Sequence, residues 1–183
     1  MIVQGNDPYT QPSFSLGNRM ARAIWGVTWL LLFRPSPRPF HAWRRLLLRA
    51  FGARVGKHVN VYPNVRIWAP SLLTIGNRVD IANGVTLYNM APIAIGDNCV
   101  ISQSAHLCGG THDIDSPNFQ LIAKPITLNA NVWICADTFV GPGVTVADGY
   151  VLGARGVLVK SVQTPWTVWP GNPAVFRRTR KLH

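Results

Sequence analysis

From Leu128 to Val162 an aliphatic residue returns every sixth position: Leu128, Ile134, Val140, Val146, Leu152, Leu158. The fifth residue of each block is Val132, Thr138, Val144, Tyr150, Gly156 and Val162, mostly small or β-branched. The second is Asn129, Cys135, Gly141, Ala147, Gly153 and Val159, again mostly small. A period of six is neither 3.6 nor 2. It predicts a parallel β-helix, each block forming one face of a triangular coil with its aliphatic residue pointing inward. The small residues are expected to permit the turns.

The same register runs back through Ile95, Ile101, Leu107, then Ile75, Ile81, Leu87, then Val55, Val61, Ile67. Between these triplets the step is eight, so two extra residues enter once per coil, after the third face. They should bulge from one corner, at Trp68 to Thr74 and at Tyr88 to Ala94. At the next return of that corner the chain departs after Leu107 and comes back at Pro125-Ile126. The expected division is an N-terminal arm with helices over 1–54, a β-helix domain over 55–163 with a loop at 108–127, and a closing turn with a basic tail over 164–183.

Outside the coils the pattern changes. Met1 to Leu16 is polar and contains prolines, which suggests a loosely held arm, and it has no basic start before an apolar run as a secretory signal would. Ala23 to Phe33 is apolar but about half the length that spans a bilayer. The prolines at 35, 37 and 39 stop it. Phe40 to Phe51 is a second helical candidate, with Phe40, Trp43, Leu47 and Phe51 on one face. Two roles are open: helices packed on the prism or on a neighbouring subunit, or an interfacial anchor with Arg at lipid headgroups. The proline- and glycine-rich stretch after Val162 ends the coil, and a basic, helical tail is expected from Val175 to His183.

Charge sharpens this picture. The chain has 18 Lys and Arg against 7 acidic residues, a net charge of +11, and no Glu. Seven Arg between Arg19 and Arg49 and a cluster at Arg177, Arg178, Arg180 and Lys181 hold much of it, so anionic partners are favoured. The coils lack a basic stripe interleaved with aromatics, which argues against nucleic acid. Cys99, Cys108 and Cys135 fall inside coils as small core residues; their odd number gives no disulfide framework and suits a reducing compartment.

Of five histidines, His41, His58, His106, His112 and His183, His112 stands apart. It opens the long excursion, preceded by Gly109-Gly110-Thr111 and followed by Asp113. A neutral imidazole there can take a proton from a hydroxyl or amine, and a neighbouring carboxylate or carbonyl could fix its tautomer. A loop histidine that merely bonds its own turn is the plainer alternative.

The run from Pro125 to Val162, with the closing PWTVWPGNPA, resembles the hexapeptide-repeat acetyltransferases. The GTHD element, the YNMAPIAIGDN run and the THDID loop with its PNF are similar to the colanic-acid-biosynthesis type, beside galactoside and nodulation-factor acetyltransferases. The resemblance spans about Val55 to Arg178. It implies an all-β fold, a left-handed parallel β-helix of about five coils with an extended loop, N-terminal α-helices and a short basic C-terminal tail. It implies acetyl-CoA as co-substrate, no metal, and His112 as general base. Trp133, Ala136, Gly153 and Ala154 match positions lining the pantetheine channel, and Lys160 and Arg178 match basic positions near the CoA phosphates. On the acceptor side Asp80, Asn83, Tyr88, Asn89 and Asp113 are candidates near the elaborated edge. Ala82 falls where the galactoside enzymes place an Asn, with Asn83 beside it. Trp169 replaces a usually small residue, which suggests an altered CoA end of the channel.

The expected activity is direct O-acetylation of a sugar hydroxyl in exopolysaccharide or related glycan biosynthesis. N-acetylation of an amino sugar, a metal hydratase of the γ-carbonic anhydrase type with three His ligands, and a non-catalytic scaffold are the alternatives. A homotrimer is expected, with active sites between prisms and His112 facing a neighbour's wall from Trp133 to Ala154. The expected location is cytoplasmic, with peripheral contact at the inner membrane face through the N-terminal helices.

Overall fold

The computed structural model describes residues 8–181. Short parallel strands stack into three faces of a prism. The first face runs Arg54–Val55, Leu73–Ile75, Ile93–Ile95, Ile126–Leu128, Thr145–Val146. The second begins at Asn60–Val61 and ends at Thr167–Trp169, and the third runs from Arg66–Ile67 to Val157–Leu158. This makes five complete coils and the start of a sixth. Lower coils repeat every twenty residues, as in the pairing of Asp80 with Val100, and upper ones every eighteen, as in Trp133 with Val151. The difference is the two-residue bulge, which sits between third and first faces as the pattern predicts.

The aliphatic column Val61, Ile81, Ile101, Ile134, Leu152 is fully buried along the second face. Burial of each such side chain contributes about 1.5–3 kcal/mol. Cys99 lies in the same interior, where burial pushes its thiol up to about 11. Tyr150 is also fully buried, its hydroxyl has no partner among the described residues, and desolvation raises its pKa.

The turns are made differently from expectation. The second residue of a block is small because successive coils approach there: a Cβ on Gly56 would collide with the carbonyl of Gly76. The left-handed residue falls two places later and accepts many side chains. Asn131, Asp137 and Arg155 have φ of 60°, 56° and 57°, and His58 and Arg78 do the same lower down. Each such position lies at a solvent-facing corner, so its side chain meets no crowding.

Two helices close the lower end, α1 over Leu16–Thr28 and α2 over His41–Ala50. Ser15 caps α1, accepting from the Asn18 N–H, and a π-helical turn, Trp29–Phe33, extends it. That wider turn lets Phe33 reach the core, where it is fully buried. In the prism adjacent coils exchange backbone bonds in both directions: Asn60 and Tyr62 donate up to the carbonyls of Val79 and Ile81, and Arg78 donates down to that of Lys57. The carbonyls of the first coil that point downward have no strand beneath them. The helices supply the donors. Trp25 Nε1 reaches Ile67 O at 2.7 Å, Trp29 Nε1 reaches Val65 O at 2.8 Å, and Arg45 Nη1 reaches Val59 O at 2.8 Å. Arg44 Nε donates to Val61 O at 2.6 Å, and Arg49 Nη2 to Val55 O at 2.7 Å.

This corrects the expected face of the second helix. Arg44, Leu47 and Leu48 are its buried residues, whereas Phe40 and Trp43 face outward. Arg44 donates to the carbonyls of Val61, Pro37 and Arg38 and to Ser36 Oγ, and burial lowers its pKa. Among the described residues no helix is long and apolar enough to cross a membrane.

The upper end is closed by backbone. Arg178–Thr179 is a strand antiparallel to Thr167–Trp169, not the helix expected of the tail; His183 lies outside the described residues. A strand forms because it can pair with the last open edge. Trp169 continues the inward column above Leu152, and its ring lies 6.3 Å from that of Tyr150. It packs as a lid on the core.

Candidate functional site

The long excursion begins as a hairpin. Gly110–His112 pairs antiparallel with Leu121–Ala123, which sets His112 opposite Leu121. Any side chain at Gly110 would overlap Met90 Sδ and come within 3.2 Å of Tyr88, so glycine there lets the hairpin lie close over the bulge corner.

His112 is exposed at the hairpin end, and its Nδ1 lies 2.7 Å from the carbonyl oxygen of Phe119. A carbonyl can only accept, so Nδ1 carries the proton and Nε2 presents a free lone pair. Phe119 holds φ at 48°, rare for a bulky residue, with its N–H bonded to Ser116 O at 3.0 Å. This unfavourable conformation aims a carbonyl at the imidazole, a kind of strain that collects at functional sites. Asp113 shapes the same loop: its carboxylate accepts from the Asp115 N–H at 3.1 Å.

Around His112 a cleft is formed by Phe14, Arg19, Arg22, Tyr88, Met90 and Leu121. Arg22 is fixed by Asn18 Oδ1 at 2.9 Å and lies over the Trp68 ring at 4.4 Å from its centroid. Arg19, Arg22, Met90 and the Phe119 carbonyl are candidate elements of this site that sequence reasoning missed. Tyr88 begins an aromatic ladder through His106 to Phe139, with ring centroids 6.3 and 5.5 Å apart. His106 Nε2 is buried without a partner, and desolvation lowers its pKa, which suits a packing role.

The other predicted residues are divided by the topology. Of the acceptor candidates, Tyr88 joins His112. Asn89 sits at the right corner but is fully buried, its amide bonded to Ala69 O and its oxygen to the N–H groups of Trp68 and Ala69. It therefore holds the bulge. Asp80 and Asn83 are not at the elaborated edge. Ile81 belongs to the second face, so Asp80 points outward there, bonded to Asn60 Nδ2 at 2.8 Å, and Asn83 turns the following corner.

The channel candidates lie on that side too. Trp133 is outward on the second face, about half exposed, with its indole donating to Ser102 Oγ at 2.9 Å. Ile134 pairs with Leu152, so Ala136 stacks under Ala154 and Cys135 under Gly153. A Cβ on Gly153 would lie 2.9 Å from Pro170 Cβ. Arg178 is exposed at the top of this face, whereas Lys160 is exposed at the corner bearing the hairpin, in a groove with Val159, Trp169 and Pro173. In a triangular prism that corner is opposite the second face. One chain thus carries His112 and Lys160 on one side and Trp133, Ala136, Ala154 and Arg178 on the other. Among the described residues no three His, Cys, Asp or Glu side chains converge as a metal site.

No family model matches the chain. It is 41% identical over 167 residues to the "Putative colanic acid biosynthesis acetyltransferase WcaF" of Escherichia coli (strain K12), covering 91% of each chain. Its fold is similar to that of a hexapeptide-repeat-containing acetyltransferase of Vibrio cholerae O1 biovar eltor in complex with acetyl coenzyme A. There the TM-score is 0.84 at 27% identity, over 93% of this chain and 92% of the other. A galactoside acetyltransferase in complex with coenzyme A gives a TM-score of 0.83 at 27% identity, covering 93% and 86%.

Proposed function

Since the chain belongs to the hexapeptide-repeat acetyltransferases, of the colanic acid biosynthesis type, we propose that it transfers the acetyl group of acetyl-CoA to a sugar hydroxyl. The observation that carries this reading is the Nδ1–H bond from His112 to Phe119, which leaves Nε2 as the base. Nε2 takes the hydroxyl proton as the sugar oxygen attacks the thioester carbonyl. The resulting oxyanion is stabilised by backbone N–H groups along the channel. Its collapse breaks the C–S bond, and the imidazolium returns the proton to the departing CoA sulfur. No enzyme nucleophile is needed.

The site requires more than one copy. His112 stands at the corner opposite the face that bears Trp133 and Ala154, so the acetyl donor lies on a neighbour's wall, in a homotrimer with sites between prisms. Lys160 and Arg178 then supply cations to CoA phosphates from both sides of that interface. A sugar on a lipid carrier, presented at the cytoplasmic membrane face, is the acceptor this reading favours, with Tyr88 beside the base.

The test is His112→Ala with acetyl-CoA turnover read by thiol release. Loss of a general base should lower kcat by ~10²-fold or more and leave acetyl-CoA binding nearly intact. A rate near that of the unaltered protein removes His112 from the mechanism, and acetylated amine without ester identifies the N-acetyl product. A monodisperse, fully active monomer in light scattering would overturn the shared site.

A further inference from the structure

The packing of the N-terminal helices leaves a surface unaccounted for. Leu16, Met20, Ile24, Val27 and Leu31 recur at spacings of four, four, three and four, which places them on one helical stripe. They are 68, 56, 58, 58 and 62% exposed. The stripe runs on, through Leu32 and Pro35, to Phe40 and Trp43, which line one open groove, and Leu46 beyond them is 56% exposed. A continuous apolar band of this extent on a soluble chain marks a contact surface.

Charge identifies the partner. Between Pro8 and Val79 there are ten Arg and one Lys and no Asp or Glu. Arg44, Arg45 and Arg49 are spent on the first coil's carbonyls. Arg19, Arg34 and Arg38 remain exposed beside the apolar band; Arg34 lies over the Trp29 ring and Arg38 over that of Tyr62. Two copies of such a face would set cation against cation. Apolar side chains rimmed by exposed Arg, with no acid in the whole segment, fit an anionic bilayer surface.

We propose that the outer stripe of α1, with Phe40 and Trp43, lies in the headgroup region of an anionic membrane, parallel to its plane. The same helix borders the His112 cleft through Arg19 and Arg22, so docking brings the cleft mouth to the headgroups. This second step rests on the acetyltransferase function, whereas membrane binding itself does not, and the two are tested apart.

The experiment is flotation of the full-length protein with vesicles of phosphatidylcholine alone or with about one third phosphatidylglycerol, without acetyl-CoA. Binding should appear with the anionic lipid and fall as salt rises. Ile24→Glu/Leu31→Glu should reduce binding at least tenfold, and Arg34→Ala/Arg38→Ala should reduce its salt-sensitive part. Both should keep the parent melting profile, since these side chains face outward, and both should keep turnover on a soluble acceptor. If the parent protein ignores anionic vesicles at low salt, the proposal fails. It also fails if Ile24→Glu/Leu31→Glu alters oligomer size while leaving flotation unchanged, because the face is then an interface between copies. Flotation without any acetyl transfer sustains the docking and overturns the acetyltransferase reading alone.

Discussion

The two ends of the prism are finished in different ways. At the lower end the downward carbonyls of the first coil have no strand beneath them, and at the upper end the last parallel strand, Thr167–Trp169, has no further coil above it. The lower end is finished by donor side chains: two indoles and three guanidinium groups on helices. The upper end uses a returning strand and carries Pro165, Pro170 and Pro173, residues without an N–H to satisfy. The two ends are thus closed by different means, donor side chains below and backbone above. An unfinished edge would be an invitation to pair with other chains.

Removal of the most deeply placed donor should strain this contrast most. Arg44→Met keeps the stem and abandons the carbonyls of Val61, Pro37 and Arg38, a loss of ~3 kcal/mol or more for buried groups bonded to a charge. Calorimetry should show a large drop in Tm; an unchanged Tm would mean that the end is closed by apolar packing. Trp25→Phe and Trp29→Phe, which keep an aromatic ring and delete one donor, should each cost ~1–2 kcal/mol in denaturant titration. The upper end should be less sensitive to side chains. Arg180→Ala deletes a bond of 3.0 Å to Asn131 O beside a paired strand, and ~0.5–1 kcal/mol is expected. A loss as large as that for Arg44 would erase the asymmetry.

A fourth measurement separates end effects from the acid response of the middle. His106 is held neutral by burial, with its pKa lowered. The unfolded chain therefore binds a proton first as pH falls through the ordinary imidazole range near 6.5, and stability is lost on that side. His106→Phe should flatten this part of the Tm-against-pH curve while leaving neutral stability similar or higher. The same acid slope in the variant would assign it elsewhere.

The coils were legible because a buried aliphatic residue at every sixth position is a one-dimensional signal. The bulge corner followed from the step of eight, and His112 from its place in the departure. The rest was hidden for physical reasons. The group that sets the His112 tautomer is the Phe119 carbonyl, which any residue could supply, and only the φ of that residue aims it. Arg19 and Arg22 reach the cleft because α1 packs on the lower end of the prism, a contact between segments far apart in sequence. The N-terminal Arg look alike in sequence, yet Arg44 is buried and Arg34 exposed. Asp80 and Asn83 are close to the bulge in sequence but lie on the second face and its following corner, away from it in space.

The corner between third and first faces has one more consequence. It spans eight residues from Ile67 to Ile75, again eight from Leu87 to Ile95, a whole hairpin from Leu107 to Leu128, and six from Val140 to Val146. Through all these lengths Ile75, Ile95, Leu128 and Val146 remain paired in one column. The corner is a splice point. Segments of different length can be exchanged there without disturbing the stacked core, so selection or an engineer can rewrite the loop that carries His112 while the scaffold beneath it is inherited unchanged.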